Sequence, residues 1–442
     1  MRNMTQGRIL GHLLSVAIPL ILGNFFQLTY NAVDSIIVGK FAGEGALAAV
    51  SAANPVMTIV ILGVSGISIG ASVLMSRLFG AGEEEALRRE VATTLLFGLG
   101  ASLIVFALGM LFSGALLKIS RVPQEILPQA AMYLRIIFVG FLFTFQYNLL
   151  AAALRSVGDA KTPVRYLAAS SVLNAALDAA FVWGFGWGAA GAGAATVIAS
   201  AMSAVCCFAH IQRKIPLLRL ERGDLVIDRA LLRETLALGS VTALQQACQP
   251  VGKVFIQSVI NAQGVGMIAA FNAVTRVDDF ACIPAQSISS AMTTCIAQNR
   301  GAGKKARVKE TLKTGMRLEI AYGVAILMAT LLLKEPVMRL FAAQGSTKMI
   351  EMGVEYLSLM AFFYVLPGLT NGIQGYFRGM GEMKTTLINT AIQISVRAAF
   401  VYVFVPRIGL RGAAIGCAVG WCCMLINCAY RYRKVQAKFE NE

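Results

Sequence analysis

Four polar residues within apolar stretches of this 442-residue chain have the types and spacing that ion chemistry needs: Asp34, Asn174, Asp178 and Thr196. Asn174 and Asp178 are four residues apart, so on a helix they share one face. Counted from the ends of their apolar stretches, Asp34, Asp178 and Thr196 lie at a similar depth, about 10 Å from one membrane face. The spacing therefore predicts a cluster of two carboxylates, one amide and one hydroxyl.

Such a cluster has two interpretations. Hard oxygen ligands suit a sodium ion, and two carboxylates removed from water can instead share a proton. The structural alternative is that these polar residues hold helices together, with Asn174 donating a hydrogen bond to Asp178. Two acids without a basic partner in the same half of the chain stabilise packing poorly, which favours the ion-binding hypothesis.

The second half carries buried charges of both signs: Lys253, Arg276, Asp278, Asp279 and Arg397. Arg276 and Asp279 are three residues apart on one predicted helix, and Lys253 on the preceding helix can reach an aspartate. A neutralised structural network is the simpler interpretation. The functional alternative is a positively charged cavity wall that binds anionic substrates.

Amides and tyrosines near these charges are typical of a hydrated cavity. The predicted substrate-cavity residues are Gln27, Tyr30, Asn31, Tyr147, Gln245, Gln249, Lys253, Asn272, Arg276, Asp279 and Arg397. Pro19, inside the first apolar stretch, is the predicted hinge, because proline interrupts helical hydrogen bonding. No cysteine or histidine spacing indicates a metal site, so we expect no catalytic residues, no cofactor and no metal other than a coupling sodium ion.

The elements that position these residues are membrane helices. Hydrophobic residues make up 57% of the chain and charged residues only 14%, against roughly 25% charged in soluble domains. Twelve stretches are long enough to span a bilayer. They lie near 13–38, 46–75, 91–113, 131–154, 163–185, 189–211, 232–258, 265–297, 312–333, 352–377, 386–405 and 409–430.

The two halves of the chain repeat each other. The segment SRLFGAG ending at Gly82 recurs as AQNRGAG ending at Gly303, and LRSVGDAKTP recurs as FRGMGEMKTT, at shifts of 221 and 223 residues. Six spans in each half make the repeats parallel. We predict an all-α polytopic membrane protein with an N-lobe at 1–211, a cytoplasmic linker at 212–230, expected to be an interfacial helix, and a C-lobe at 231–442.

Charge placement predicts the orientation. Of the 39 lysines and arginines, 27 fall on the side of the termini, 9 on the opposite side and 3 within spans. By the positive-inside rule both termini are predicted to be cytoplasmic. The net charge of +16 is thereby explained as a topology signal scattered over loops, and no nucleic-acid partner is expected.

At this point the sequence resembles the multidrug and toxic compound extrusion (MATE) family over essentially its whole length. The resemblance is carried by VAIPLILGNFFQLTYNAVDSIIVGKF, the two GAG turns, RSVGDAKTP, LNAALDAAFVWGFG, AQNRGAGKKAR and RGMGEMKT. It implies twelve transmembrane helices in two six-helix lobes around a V-shaped cavity. It also implies coupling-ion binding by Asp34, Asn174, Asp178 and Thr196, with bending near Pro19.

The resemblance implies a secondary active antiporter, not an enzyme. It would export amphiphilic organic, often cationic, compounds and drugs in exchange for Na⁺ or H⁺ by alternating access. We expect a monomer in a bacterial-type plasma (inner) membrane, whose partners are a small organic substrate and the lipid bilayer. The alternative is a flippase for a lipid-linked oligosaccharide or another anionic amphiphile, which would use Lys253, Arg276 and Arg397. A second-lobe cation site is not supported, because span seven carries Lys253 where one family branch has an acid.

Overall fold

The computed structural model describes residues 2–341 and 347–441, and within these ranges the chain is helical with no β-strand. The α-helices are α1 Ile9–Ile37, α2 Glu44–Ala81, α3 Glu84–Ile119, α4 Leu127–Ser156, α5 Lys161–Asp178, α6 Gly188–Lys214, α7 Arg229–Asn261, α8 Val265–Gly301, α9 Lys305–Phe341, α10 Thr347–Phe363, α11 Val365–Gly379, α12 Met383–Ile408 and α13 Leu410–Asn441. The predicted all-α fold is confirmed, and most helices extend beyond the predicted spans.

The predicted span at 352–377 is a broken helix. Helices α10 and α11 meet at Tyr364 with a bend of 45°. Pro367 explains the break, because it has no N–H to donate to the carbonyl of Phe363 and its ring crowds that carbonyl. The side chains of Thr370 and Asn371 donate to the Pro367 carbonyl at 3.0 and 2.8 Å, which closes the first turn of α11.

Most of these helices can cross a membrane. Among the described residues, nine helices pass a length and hydropathy test for a span, and the bent pair α10 and α11 passes as a tenth. Helices α7 and α8 are long enough, at 33 and 37 residues, but carry more polar side chains, including Lys253 and the segment Arg276–Asp279. With α10 and α11 counted together, the described residues form twelve long helices, six in each repeat.

The chain forms two compact units. Unit 1 is built mainly from Ile18–Ala243, and unit 2 from Met4–Ala17 together with the chain from Leu244 onward. The core of unit 1 contains buried residues of α2, α3, α4 and α6, such as Leu74 and Leu149, and that of unit 2 contains Phe271, Tyr356 and Val401. The unit boundaries lie inside α1 and α7, the first helices of the two repeats.

The repeated glycine motifs form tight turns. Gly82 ends α2 with φ of 78°, and its N–H bonds to the carbonyl of Phe79 at 3.2 Å. Gly303 follows α8 with φ of 65°. A positive φ is available to glycine without steric cost, so both motifs are helix caps.

The prediction of an interfacial helix in the linker is wrong. Helix α6 continues to Lys214, and only two short 3₁₀ turns follow, Pro216–Leu218 and Arg222–Asp224. Pro216 and Gly223 disfavour a continuous helix. Ile215 and Leu218 are instead buried in the core of unit 1, which anchors the segment by its apolar side chains.

Candidate functional site

Asp34 of α1 and Asp178 of α5 bring their carboxyl groups together in unit 1. The two groups lie within hydrogen-bonding reach of each other, and Asp178 is fully buried. Two carboxylates can make this contact only if they share a proton or a cation lies between them, because their charges otherwise repel. The first requirement of the predicted cluster, two acids side by side, is therefore present.

Asn174 and Thr196 complete the cluster. The Asn174 amide, oriented to satisfy its neighbours, donates to Asp178 Oδ2 at 2.8 Å and accepts from the Thr196 backbone N–H at 3.1 Å. The Thr196 hydroxyl donates to the Ala192 carbonyl at 3.0 Å, and its oxygen also lies within reach of the Tyr30 hydroxyl. The four residues predicted from spacing therefore meet, and Tyr30, predicted as a cavity residue, joins them.

Two π-helical turns flank the acids. Helix α1 continues into a π turn at Val38–Ala42, four residues after Asp34, and α5 continues into another at Ala179–Gly184, directly after Asp178. The turns contact each other through Phe41 and Trp183, whose ring centroids are 5.6 Å apart. A π turn strains the regular hydrogen-bond ladder and is common at functional sites. Here one follows each carboxylate.

The free oxygens define what the cluster can bind. Asp34 Oδ1 and Asp178 Oδ1 are buried and have no hydrogen-bond partner among the described residues. A buried carboxylate oxygen without a donor is costly unless a proton or cation satisfies it. Across residues 2–341 and 347–441, neither acid has a lysine or arginine partner, and each acid is influenced by the other acid and by its burial. The arrangement suits one small cation or one proton.

The charged residues of unit 2 are arranged differently. Lys253 Nζ donates to Asp279 Oδ1 at 2.9 Å in an exposed ion pair, whereas Asp278 accepts a hydrogen bond from Tyr364. Arg397 lies close enough to Asp278 to act on it electrostatically, although its Nε has no hydrogen-bond partner among the described residues. Each aspartate of this cluster therefore has a cationic neighbour, in contrast to unit 1.

The remaining cavity candidates fall into two groups. Gln245 is buried, donates to Thr390 Oγ1 at 3.1 Å and accepts from the Thr386 hydroxyl at 3.1 Å, so its amide is engaged in helix packing. Tyr147 donates to the Pro163 carbonyl at 2.9 Å. The exposed candidates are Gln27, Asn31, Gln249, Asn272 and Arg276. Their place in a substrate cavity stays a prediction, as does the hinge role of Pro19, which is buried in α1.

Two buried acids were missed by the sequence reasoning. Glu90 on α3 is fully buried and accepts from the Thr235 hydroxyl at 2.5 Å. Glu319 on α9 is also fully buried, and both of its carboxyl oxygens have no partner among the described residues. Glu319 falls inside the predicted span 312–333, so an acid in an apolar stretch was the available signal. Glu90 lies one residue before the predicted span 91–113.

Two parallel six-helix repeats of membrane helices, with a pair of adjoining carboxyl groups inside one of them, are the architecture of a secondary transporter. The family comparison makes this specific. The MatE family model matches the chain twice, at residues 19–180 and 242–403, two matches that are 223 residues apart. The chain belongs to the MATE family of transporters, and the predicted duplication is confirmed.

Individual relatives agree with this assignment. The chain is 29% identical over 441 residues to the probable multidrug resistance protein YpnP of Bacillus subtilis (strain 168), covering 98% of both chains. It is 25% identical over 368 residues to the FAD transporter of Shewanella oneidensis, covering 81% of this chain and 77% of that one.

The fold also matches solved structures. One is a multidrug resistance MATE family transporter of the MOP superfamily in an outward-facing conformation. It superposes with a TM-score of 0.91 at 23% identity and covers 99% of this chain and 98% of that chain. This similarity establishes the shared twelve-helix fold. Together with the family match it makes the protein a multi-pass membrane transporter of small molecules rather than an enzyme.

Proposed function

We propose that this protein is an antiporter that exports amphiphilic organic compounds, including cationic drugs, in exchange for Na⁺ or H⁺. The name of its relative YpnP, a probable multidrug resistance protein, supports drugs as substrates. The observation that carries the proposal is the pair Asp34 and Asp178, whose Oδ1 atoms have no donor and whose carboxyl groups have no basic partner in the described part of the chain. A carboxylate pair of this kind is satisfied by a cation and left unsatisfied without it. Its occupancy can therefore be coupled to the state of the helices that carry it.

The coupling mechanism follows from which elements hold the ligands. Asp34 is on α1, Asn174 and Asp178 are on α5, and Thr196 is on α6, so one bound ion would tie three helices of unit 1 together. A ligand shifts a conformational equilibrium only by its difference in affinity between the two states. We propose that cation entry favours the arrangement in which the three helices converge, and that Pro19 lets α1 bend as they do.

The decisive experiment uses the protein reconstituted in vesicles with ethidium as a cationic probe. A sodium gradient and a proton gradient are imposed separately, so that the gradient that drives export identifies the coupling ion. We expect Asp178→Asn to abolish gradient-driven export, because a neutral amide neither balances the charge of a bound cation nor takes up a proton. Asp224→Asn, in the linker, is the matched control and should export normally. Normal export by Asp178→Asn would refute the unit 1 site.

An anionic amphiphile, including a lipid-linked sugar that is flipped, is the second candidate substrate class. The observation in its favour is Arg276, which is exposed and has no ion-pair partner among the described residues, on the same helix as the pair-forming Asp279. One relative is named an FAD transporter, and FAD is an anionic compound because it carries phosphate groups. This candidate predicts that Arg276→Gln and Arg397→Gln abolish transport, whereas Asp178→Asn does not.

Location and assembly complete the proposal. The excess of lysine and arginine on the side of the termini supports a plasma membrane protein with cytoplasmic ends. We propose a monomer, since each unit already contains its own core and the carboxylate cluster uses residues of one chain. Domain boundaries at 1–211, 212–230 and 231–442 remain a prediction.

A further inference from the structure

The break between α10 and α11 lies against an acid that the proposed function does not use. Glu319, near the middle of α9, packs on the first turns of α11. A Cβ added to Gly368 would lie 3.4 Å from Glu319 Oε2, and one added to Gly372 would lie 3.3 Å from Glu319 Cγ. The two glycines are four residues apart, so they form a shallow groove on one face of α11, which the glutamate side chain fills.

The carboxyl group in this groove is isolated from other charges. Both oxygens are buried without a hydrogen-bond partner among the described residues. From α8, Met292 lies beside Gly372 of the groove, and the thiol of Cys282 lies near Tyr322. Tyr322, three residues after Glu319 on α9, is a titratable group near the carboxyl, and its hydroxyl donates to the Ala281 carbonyl at 2.6 Å.

The faces of α10 and α11 add no charge to this site. Helix α11 offers Gly368 and Gly372, and the described part of α10 brings no charged group to the carboxyl. An ionised carboxylate without water or a partner is strongly disfavoured in a membrane protein interior, so this packing requires the neutral acid.

The break itself is held on its other side by a different acid. Tyr364, the residue between the two helices, donates to Asp278, which also faces Arg397, Asp279 and Lys253. Gly323 on α9 lies so close to the break that a Cβ there would be 2.8 Å from Val365 Cα. The break is therefore held at Tyr364 by Asp278, and it packs closely on α9 at Gly323, one turn along that helix from Glu319.

We propose that Glu319 is a proton-binding site of unit 2, and that its protonation holds α11 against α9 while loss of the proton releases α11 to move about the break at Tyr364. The neutral acid fits the glycine groove, whereas the carboxylate must gain water, which requires the groove to open. This switch is independent of the unit 1 cluster. It gives unit 2 a response to pH that unit 1 does not share, because Glu319 corresponds to Leu96 at the 223-residue shift.

The test uses the full-length protein in lipid nanodiscs in an Asp34→Asn, Asp178→Asn background, which removes the unit 1 acids. Infrared spectroscopy should show a protonated carboxyl band at neutral pH, part of which disappears when Glu319→Gln is added. If Glu319→Gln leaves the band unchanged, the acid is ionised and the proposal is overturned. Because the background already lacks the unit 1 site, this outcome does not depend on the proposed antiport.

Hydrogen exchange of the α11 amides tests the movement. Between about pH 6 and about pH 9, corrected for intrinsic exchange, we expect roughly tenfold more opening of α11 in the wild type and less than about twofold in Glu319→Gln. Glu335→Gln, an exposed acid of the same helix paired with Arg339, is the control and should respond like wild type. An equal pH response in Glu319→Gln would overturn the proposal.

A second variant tests the groove without touching the acid. Gly372→Leu starts a bulky side chain from a Cβ that would lie 2.8 Å from Met316 Sδ and 3.3 Å from Glu319 Cγ, so the groove has no room for it and α11 must move away from α9. We expect fast exchange of α11 at both pH values. Slow, pH-dependent exchange in this variant would show that the groove does not hold the helix and would also overturn the proposal.

Discussion

Unit 1 and unit 2 share one repeated sequence, yet the aspartates of their membrane helices have opposite surroundings. In unit 1, Asp34 and Asp178 face each other with no lysine or arginine partner among the described residues, whereas in unit 2, Asp279 pairs with Lys253 and Asp278 faces Arg397. At the 223-residue shift of the family match, Asp34 corresponds to Gln257 and Asp178 to Val401. The repeat preserved helices and turns, while each half acquired its own charges.

This difference indicates which constraints act on each part of the fold. A glycine cap such as Gly82 or Gly303 is required by backbone geometry wherever the turn occurs, so both copies keep it. A buried carboxylate is tolerated only where an ion, a proton or a base satisfies it. The proposed coupling requires only the acid pair of unit 1, so Asp278 and Asp279 of unit 2 can be neutralised by neighbouring bases.

The largest expected effect concerns the acid pair itself. Asp34→Asn removes one of the two charges that a cation needs, so gradient-driven export should fall by about 100-fold, the upper part of the range for coupled sites. Export by wild type and variant is measured in vesicles with and without the gradient. Glu44→Gln, an exposed acid at the start of α2, is the control. If export by Asp34→Asn still follows the gradient as in wild type, the acid pair is not the coupling site and unit 1 does not differ from unit 2 in ion binding.

The second prediction concerns stability in unit 2. Arg397→Met removes the half-buried cation that acts electrostatically on Asp278, and we expect the free energy of unfolding to fall by about 2 kcal/mol. The midpoint of thermal unfolding in detergent measures the loss. Arg411→Met, which breaks an exposed pair with Glu355, should have little effect. Adding Asp278→Asn to Arg397→Met should restore part of the loss, and a failure to do so would mean that the two charges are not partners.

The third prediction sharpens the description of the unit 1 cluster. Asn174→Ala removes the donor to Asp178 Oδ2 and the acceptor for the Thr196 N–H, and each broken contact costs about 1 kcal/mol or more. We expect the cation concentration for half-maximal export to rise about 10-fold. Asn148→Ala is the control, because Asn148 donates to the Thr144 carbonyl within its own helix, away from the cluster residues. An unchanged cation requirement would place Asn174 outside the site.

The smallest effect is expected for the exposed pair of unit 2. The double variant Lys253→Gln, Asp279→Asn removes an ion pair whose side chains are 55% and 51% exposed, and such pairs contribute about 1 kcal/mol or less. The ratio of export with and without the gradient should therefore change less than about fivefold. A loss of coupling as large as that of Asp34→Asn would show that unit 2 holds an ion site of its own.

Much of the fold was predictable because membrane helices have a simple requirement. Backbone groups in a bilayer must be bonded internally, so long apolar stretches become helices. The repeat was equally legible, since GAG and RSVGDAKTP recur at a nearly constant shift. The linker was not: its mix of charged and apolar residues resembles an interfacial helix, while Pro216 and the burial of Leu218 decide its actual path.

The candidate site was predictable in part. Equal depth and the spacing of Asn174 and Asp178 were enough to bring four residues together, because helices convert residue counts into distances. Glu319 was not predicted, since a sequence does not show whether an acid within an apolar stretch faces water, a basic partner or a neighbouring helix. Tyr147 and Gln245, predicted for the cavity, are engaged in hydrogen bonds between helices.

The sequence by itself determined the membrane class, the duplicated six-helix plan and the residue types that can bind a cation, because these depend on composition, period and spacing. Only the tertiary structure decided which acids have partners. The contact of Asp34 with Asp178, the pairing of Lys253 with Asp279 and the groove that isolates Glu319 all depend on how neighbouring helices are rotated. A rotation of one helix by a single residue would exchange partners without changing any pattern in the sequence.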